Sequence, residues 1–193
     1  MKGIIFTSFI DFAEQQLGLE FVDEMLDTMP LSTGGAYTNV GTYPAQEMLD
    51  MVEYVLQRHD LDPAALQQAF GEHTFKVLTD RHGDLVESFK DSFDCIFHVD
   101  QTIHRNVLKL YPDAELPNMH AKLSDEGRRL TMEYRSERPL MHVAFGLING
   151  CIKHFNDRVE VAMTDLSDGA GTHASFVLTR EDTGPTSAAE PAA

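Results

Sequence analysis

Tyr134-Arg135-Ser136-Glu137-Arg138 follows a strand-like run in which Leu130 and Met132 alternate with polar residues. Every second residue of this stretch continues the side of Leu130 and Met132, because side chains alternate across a strand. One apolar face therefore ends in two hydroxyls and the guanidinium of Arg138. A buried charge without a partner is costly, and the sequence supplies no obvious acidic partner on this face. The carboxylate of a bound ligand would match the guanidinium fork; a structural network that closes the hairpin onto the helices fits the same residues equally well.

The size and charge of the chain limit the classes of function open to it. Its 193 residues, 42% of them hydrophobic, suit one globular domain, expected over residues 1–180, and the composition of residues 181–193 predicts a disordered tail. The net charge of −16 argues against nucleic acid and anionic membranes as partners. No apolar run approaches the roughly 20 residues of a membrane helix, and no signal peptide is visible. Only Cys95 and Cys151 are present, so we expect no disulfide framework and a cytoplasmic location.

The hydrophobic period changes from helical to strand-like near residue 118. Before that point, helices are expected at Ile4–Leu17, at Leu19–Met29, after the Asp62-Pro63 start, and around His104 as far as Pro112. After it, the pattern predicts a hairpin over 119–134, a buried helix over 139–155 and a second hairpin over 159–178. Helices followed by a small antiparallel sheet predict an α+β domain.

His104 shares a helical face with the apolar residues Leu108 and Tyr111. A lone histidine on such a stripe is most often a satisfied core residue, although histidine is also the commonest metal ligand. His98 and Asp100 lie close by in the sequence. At about 100° per residue these two side chains and His104 are expected to point in three different directions, so they predict no metal site of their own.

Several motifs together resemble the H-NOX family of heme nitric oxide/oxygen binding domains. They are Met1-Lys2-Gly3-Ile4-Ile5, the His104 helix ending in Leu110-Tyr111-Pro112, the Tyr134-x-Ser136-x-Arg138 motif and Gly146-Leu147-Ile148. The similarity covers nearly the whole chain. It implies an α+β fold with heme b (iron protoporphyrin IX) buried between the helical part and the sheet with its packed helix.

The resemblance also implies roles for individual residues. His104 would be the proximal ligand of the heme iron, and its second ring nitrogen would need an acceptor that the sequence does not identify. Tyr134, Ser136 and Arg138 would bind the heme propionates. Pro117 would press against the porphyrin and help to distort it. Ile5, otherwise an ordinary core residue, would pack on the heme.

The expected ligand pocket lacks the hydroxyl found in the oxygen-binding branch of the family. Those relatives carry a tyrosine nine residues after the motif tyrosine, and its hydroxyl stabilises the negative charge on bound O₂. This chain has Val143 there, and Phe9 and Leu78, expected nearby, also lack donors. The apolar neighbours of Val143 are Leu140, Ala144, Phe145 and Leu147. Thr74 is the one hydroxyl expected to approach, so the resemblance implies binding of NO and CO with O₂ excluded.

A zinc site found in some bacterial relatives is not expected here. The corresponding stretch has Met141, Met163, Leu166 and Ala174, none of which is a zinc ligand.

The resemblance implies a gas sensor that is not an enzyme. NO would weaken the bond between iron and His104, and the helical part would then rotate relative to the rest. The partner would be a sensor histidine kinase or an enzyme that makes or degrades cyclic-di-GMP. Two alternatives stay open. One is a peroxidase-like heme enzyme, which would require a polar acid/base group near the iron. The other is a heme-carrying interaction module.

Overall fold

The computed structural model describes residues 1–181, apart from the side chain of Leu85. The helices are α1 (Gly3–Leu17), α2 (Leu19–Thr28), α3 (Ala45–Arg58), α4 (Pro63–Arg81), α5 (Gly83–Glu87), α6 (Ser92–Phe97), the π-helical segment Val99–His104, α7 (Arg105–Leu110) and α8 (Met141–His154). The strands are β1 (Asn118–Ser124), β2 (Arg129–Arg135), β3 (Val159–Asp165) and β4 (His173–Arg180). The predicted α+β class is therefore confirmed. The predicted tail falls almost wholly outside the described residues.

The N-terminal helices begin and end where their local sequence predicts. Gly18, at a φ of 92°, separates α1 from α2 in a conformation that suits glycine. Asp62 caps α4 by accepting a hydrogen bond from the backbone N–H of Ala65 at 3.0 Å, and Pro63 occupies the first helical position. The length and direction of α4 matter for the site, because this helix lines a central cavity.

The strands form one antiparallel sheet in the order β1-β2-β4-β3. Leu130 of β2 pairs with Leu178 of β4, and Tyr134 pairs with Ala174, so the alternating face of β2 is matched by an apolar face of β4. All four side chains are at most 2% exposed. The predicted hairpins are both present, and the inward direction of Tyr134 is confirmed.

Two separate hydrophobic clusters make up the interior of the described residues. One contains mainly side chains of α1, α2 and α3, with Leu66 and Phe70 of α4. The other lies between the sheet, α6 and α8. Helices α4 and α8 cross closely: a Cβ on Gly146 would overlap the carbonyl oxygen of Gln68, and a Cβ on Gly71 would overlap that of Val143. Glycine at both positions is what permits this approach.

Two predicted helices differ from the observed ones. The helix expected from Pro139 begins at Met141, because Leu140 bonds back to Arg138 and the Met141 N–H donates to Gly171 at 3.1 Å in a turn. The helix expected around His104 is π-helical over Val99–His104 before α7 begins.

No helix within residues 1–181 has the length and apolar character needed to cross a membrane. Cys95 and Cys151 are both buried and free of disulfide bonds.

Candidate heme site

A cavity of about 380 Å³ lies between the N-terminal helices, α8 and the sheet. This volume is in the range of cofactor and small-molecule sites, roughly 300–1,000 Å³. All eleven residues expected at the site line it: Ile5, Phe9, Thr74, Leu78, His104, Pro117, Tyr134, Ser136, Arg138, Val143 and Leu147. The structure thus brings together side chains from α1, α4, α8, the π-helical segment, β2 and two loops.

His104 is the last residue of the π-helical segment, and its side chain is 14% exposed. Its Nδ1 lies 3.4 Å from Oδ1 of Asp100. The expectation that Asp100 and His104 point in different directions is therefore wrong. Four helical residues amount to about one turn, so positions i and i+4 are neighbours on one face. Asp100 is the acceptor that the sequence analysis left unidentified.

Burial lowers the pKa of His104, while the hydrogen bond and the charge of Asp100 act in the opposite direction. The imidazole is accordingly neutral at neutral pH. A neutral ring with Nδ1 held by a carboxylate presents the lone pair of Nε2, which is the arrangement seen in histidines that bind metals.

Tyr134, Ser136 and Arg138 line the cavity together at the end of β2 and in the turn that follows it. Burial raises the pKa of Tyr134, and the neighbouring Ser136 side chain acts in the opposite direction. The backbone N–H of Arg138 donates to Oγ of Ser136 at 3.1 Å. The Ser136 N–H donates to the Thr172 carbonyl at 2.8 Å, which fixes the chain just beyond β2.

Arg138 has an acidic partner, contrary to the sequence analysis. Its guanidinium pairs with the carboxylate of Glu115, a residue of the loop before β1 that also lines the cavity. The Glu115 side chain is 63% exposed, whereas that of Arg138 is 19% exposed. The partner comes from a different segment of the chain, which the alternation within β2 could not reveal. The pair demonstrates that this position of the guanidinium accepts a carboxylate.

The wall formed by α1, α4 and α8 is almost entirely apolar. Phe9 is 1% exposed and Thr74 is 2% exposed, and Oγ1 of Thr74 has no hydrogen-bond partner. Val143 lines this wall with Leu140, Ala144 and Leu147. Phe145, expected among these neighbours, instead stacks on Phe176 of the sheet with ring centres 6.2 Å apart. One step along a helix turns a side chain by about 100°, which carries it out of the cavity.

Pro117 and Ile5 line the cavity from different elements. Pro117 immediately precedes β1, and Ile5 lies in the first turn of α1. Both therefore lie where a flat ligand in the cavity would contact them.

Within residues 1–181, no cluster of three or more His, Cys, Asp or Glu side chains could hold a metal ion.

The chemistry of this cavity fits heme. It combines an apolar lining, one neutral and largely buried histidine, and a guanidinium with two hydroxyls at one end. A porphyrin needs these three features: apolar contacts for the ring, an axial ligand, and donors for the propionates. Fold and site together define a heme-binding α+β domain.

Comparison with known families agrees with that class. A model of haem-NO-binding domains matches residues 2–163. The chain therefore belongs to the haem-NO-binding (H-NOX) family, whose members are heme-binding gas-sensor domains. A search of curated proteins found no match.

Solved H-NOX structures are similar over nearly their full length. The Fe(II) unliganded protein from K. algicida is 35% identical with a TM-score of 0.87, over 94% of this chain and 97% of that one. The S. oneidensis protein in the Fe(II)NO state is 27% identical with a TM-score of 0.86, over 94% and 100%. The IWP-051-bound protein from Shewanella woodyi, in the Fe(II)CO state, is 32% identical with a TM-score of 0.80, over 97% and 98%.

Proposed function

We propose that this protein holds heme b in the central cavity, binds NO and CO but not O₂ there, and signals to a separate partner protein. The observation that carries the proposal is that the eleven site residues, which lie between positions 5 and 147 of the chain, line one cavity. When bound, the heme supplies a ferrous iron that takes a diatomic gas. The two free, buried thiols support a reducing, cytoplasmic location.

In this proposal, His104 holds the iron and Asp100 positions His104. The carboxylate keeps the ring in one orientation by accepting from Nδ1, so that Nε2 faces the metal. The lowered pKa of His104 keeps that nitrogen unprotonated at neutral pH. His104 is followed directly by α7, so its attachment or release bears on the position of that helix.

Tyr134, Ser136 and Arg138 orient the cofactor by binding its propionates. The guanidinium already holds a carboxylate, that of Glu115, so a propionate would compete for the same donors. Buried Tyr134 and the turn at Ser136 are fixed by the sheet, which gives these donors a rigid support.

The exclusion of O₂ rests on the α8 wall. Bound O₂ needs a donor to stabilise its negative charge, whereas NO and CO need little such help. The side chains of Val143 and Leu147 present only carbon atoms to the cavity. Those of Phe9 and Leu78 likewise carry no hydrogen-bond donor. No phenol reaches the cavity from this wall within the described residues.

The two hydrophobic clusters supply the parts that move in the proposed switch. In this proposal the part that rotates is α1–α3, whose buried side chains pack mainly on one another and on Leu66 and Phe70 of α4. Lys2 connects this part to the segment after α7: its Nζ lies 3.2 Å from Asp113, which also accepts from Thr42 at 2.7 Å. Release of His104 would reach the N-terminal part through this connection.

The partner in this proposal is a sensor histidine kinase or an enzyme that makes or degrades cyclic-di-GMP. Both classes of partner follow from the family resemblance. Gas-dependent change in the activity of a co-purified kinase or cyclic-di-GMP enzyme is the measurement that distinguishes them.

The His104→Gly variant tests the proposed site. We expect it to retain little heme unless imidazole is added, because free imidazole can take the place of the missing side chain. His98→Gly is the matched control, since His98 makes the same kind of contact with Asp94 one turn earlier but does not line the cavity. Normal heme content and an unchanged ferrous spectrum in His104→Gly would contradict the assignment.

A further inference from the structure

His82 is a second histidine in the lining of the central cavity. Among the described residues, His104 and His82 are the histidines that line it. They differ in exposure, because the side chain of His104 is 14% exposed whereas His82 is exposed to solvent. The cavity therefore carries one largely buried imidazole and one imidazole at its edge.

The backbone of His82 is fixed, but its imidazole is not. The His82 N–H donates to the Leu78 carbonyl at 2.9 Å where α4 ends, and α5 begins at Gly83. No hydrogen bond, ion pair or ring contact joins the His82 side chain to another of the described residues. The exposed sheet shows the contrast, since Nε2 of His173 lies 2.9 Å from the carboxylate of Glu133. The ring nitrogens of His82 are thus available to a ligand from outside the protein.

The cavity meets solvent at few of its lining residues. Among those that the structure describes, the exposed ones are His82, Leu110 and Glu115. The carboxylate of Glu115 pairs with Arg138, so an ion pair ties that edge of the cavity. The side chain of Leu110 has no atom that binds a metal. His82 is therefore where the edge of the cavity offers a metal ligand to solvent.

The chemistry of an exposed imidazole suits the iron of heme. A histidine nitrogen is a standard axial ligand of that iron, and His82 can reach it before the porphyrin is enclosed. Burial of the ring against the apolar lining then favours movement inward. His104 is the stronger ligand of the two, because Asp100 holds its ring from Nδ1.

We propose that His82 binds the iron of heme at the edge of the cavity and passes it to His104. This inference rests on the proposed function, in which the cavity holds heme. A ring nitrogen of His82 forms a coordinate bond to the iron, and that bond breaks as Nε2 of His104 binds, with no change in the oxidation state of the iron.

A ligand that acts only during passage has a distinctive kinetic effect. It stabilises the transition state of entry and not the final complex. Its removal therefore slows entry and exit by the same factor and leaves the affinity for heme unchanged. A residue that supports bound heme would behave differently, because its removal speeds heme loss.

Two rates test this role: heme transfer from the loaded protein to an apo-globin acceptor, and hemin uptake by the heme-free chain. His82→Gln keeps a polar side chain and removes the ring, and His82→Met restores a side chain that binds heme iron. His120→Gln is the matched control, because His120 is also exposed but lies on β1 outside the cavity lining.

We expect His82→Gln to slow both rates by about 3- to 10-fold, the size of one modest contact in the transition state, with the final spectrum unchanged. His82→Met should be faster than His82→Gln, and His120→Gln should match the wild type. Unchanged rates in His82→Gln, or faster heme loss, would overturn the His82 role and leave the proposed function intact. Absence of heme from the wild type would contradict the proposed function and the His82 role together.

Discussion

Oδ1 of Asp100 lies 3.4 Å from Nδ1 of His104, one helical turn further along the chain. This contact orients the imidazole and places a negative charge beside it. Burial lowers the pKa of His104, and the Asp100 carboxylate acts in the opposite direction. A histidine that donates to a carboxylate is a stronger ligand for a metal than one that donates to water. The pair is therefore central to how firmly the iron would be held.

Replacing Asp100 with Asn should weaken the bond between iron and His104. We expect the iron–histidine stretching band of the ferrous protein to move to lower frequency and heme to dissociate about 10-fold faster, within the range typical for loss of such partners. Asp94→Asn is the control, because Asp94 contacts His98 at 3.1 Å with the same spacing but away from the cavity. Equal bands in the wild type and Asp100→Asn would show that Asp100 has no effect on the ligand.

Replacing Arg138 with Met should accelerate heme loss. Charge-assisted hydrogen bonds are worth about 1.5–3 kcal/mol, so we expect heme to transfer to an apo-globin acceptor about 10- to 100-fold faster. Arg135→Met is the control, since Arg135 is exposed and pairs with Glu133 at 2.6 Å. Equal heme-transfer rates for the two variants would show that Arg138 does not bind the cofactor.

Removing the competing carboxylate should have the opposite effect. In Glu115→Gln, the Arg138 guanidinium no longer pairs with a charged group of the protein, so a propionate meets less competition. We expect slower heme transfer than in the wild type in the same assay. Faster transfer would mean that Glu115 supports the cofactor by holding Arg138 in place.

Replacing Gly146 with Ala should destabilise the fold, because its Cβ would overlap the backbone of Gln68 where α8 crosses α4. Overpacking of this kind costs about 1–3 kcal/mol, and each kcal/mol lowers the Tm by about 2–4 °C in a protein of this size. Gly83→Ala is the control, since its Cβ would meet only Glu87 at 3.6 Å. A Tm equal to that of the wild type would show that the two helices separate at little cost.

Glu47 should contribute to stability in a pH-dependent way. Its buried carboxylate accepts from Tyr37 at 2.6 Å and from the Ser32 N–H at 3.0 Å. Burial alone would raise its pKa, but these hydrogen bonds lower it below the ordinary value of 4.5. A lowered folded pKa stabilises the fold above the ordinary value, and this contribution is lost as the pH falls through the lowered one.

The variant Glu47→Gln tests that contribution by urea unfolding at about pH 7 and about pH 4. We expect a loss of about 1.5–3 kcal/mol at the higher pH and a smaller difference from the wild type at the lower pH. Glu53→Gln serves as control, because Glu53 is exposed and bonds only to Gln57 among the described contacts. A difference that grows on acidification would contradict the direction of the shift.

Most of the fold could be predicted because its signals are local. The period-two face of β2 continues through Tyr134, and the Asp62-Pro63 start marks α4 to the residue. The π-helical segment could not be predicted, since nothing in the sequence of Val99–His104 distinguishes it from an ordinary helix.

The residues of the site could be predicted from the sequence better than the contacts that they make. Asp100 could have been found from its spacing to His104, because i and i+4 share a helical face. Glu115 could not, because its pairing with Arg138 depends on how a loop folds back on the sheet. The same holds for Phe145, whose direction is set by packing on Phe176.

The most direct test of the central claim is a set of absorption spectra of the purified, reduced protein, first unliganded and then under O₂, CO and NO. We predict a five-coordinate ferrous heme that changes with CO and NO and is unchanged by O₂. A stable complex with O₂ would contradict the exclusion attributed to Val143 and the apolar wall. Absence of a heme spectrum after reconstitution would contradict the proposed function.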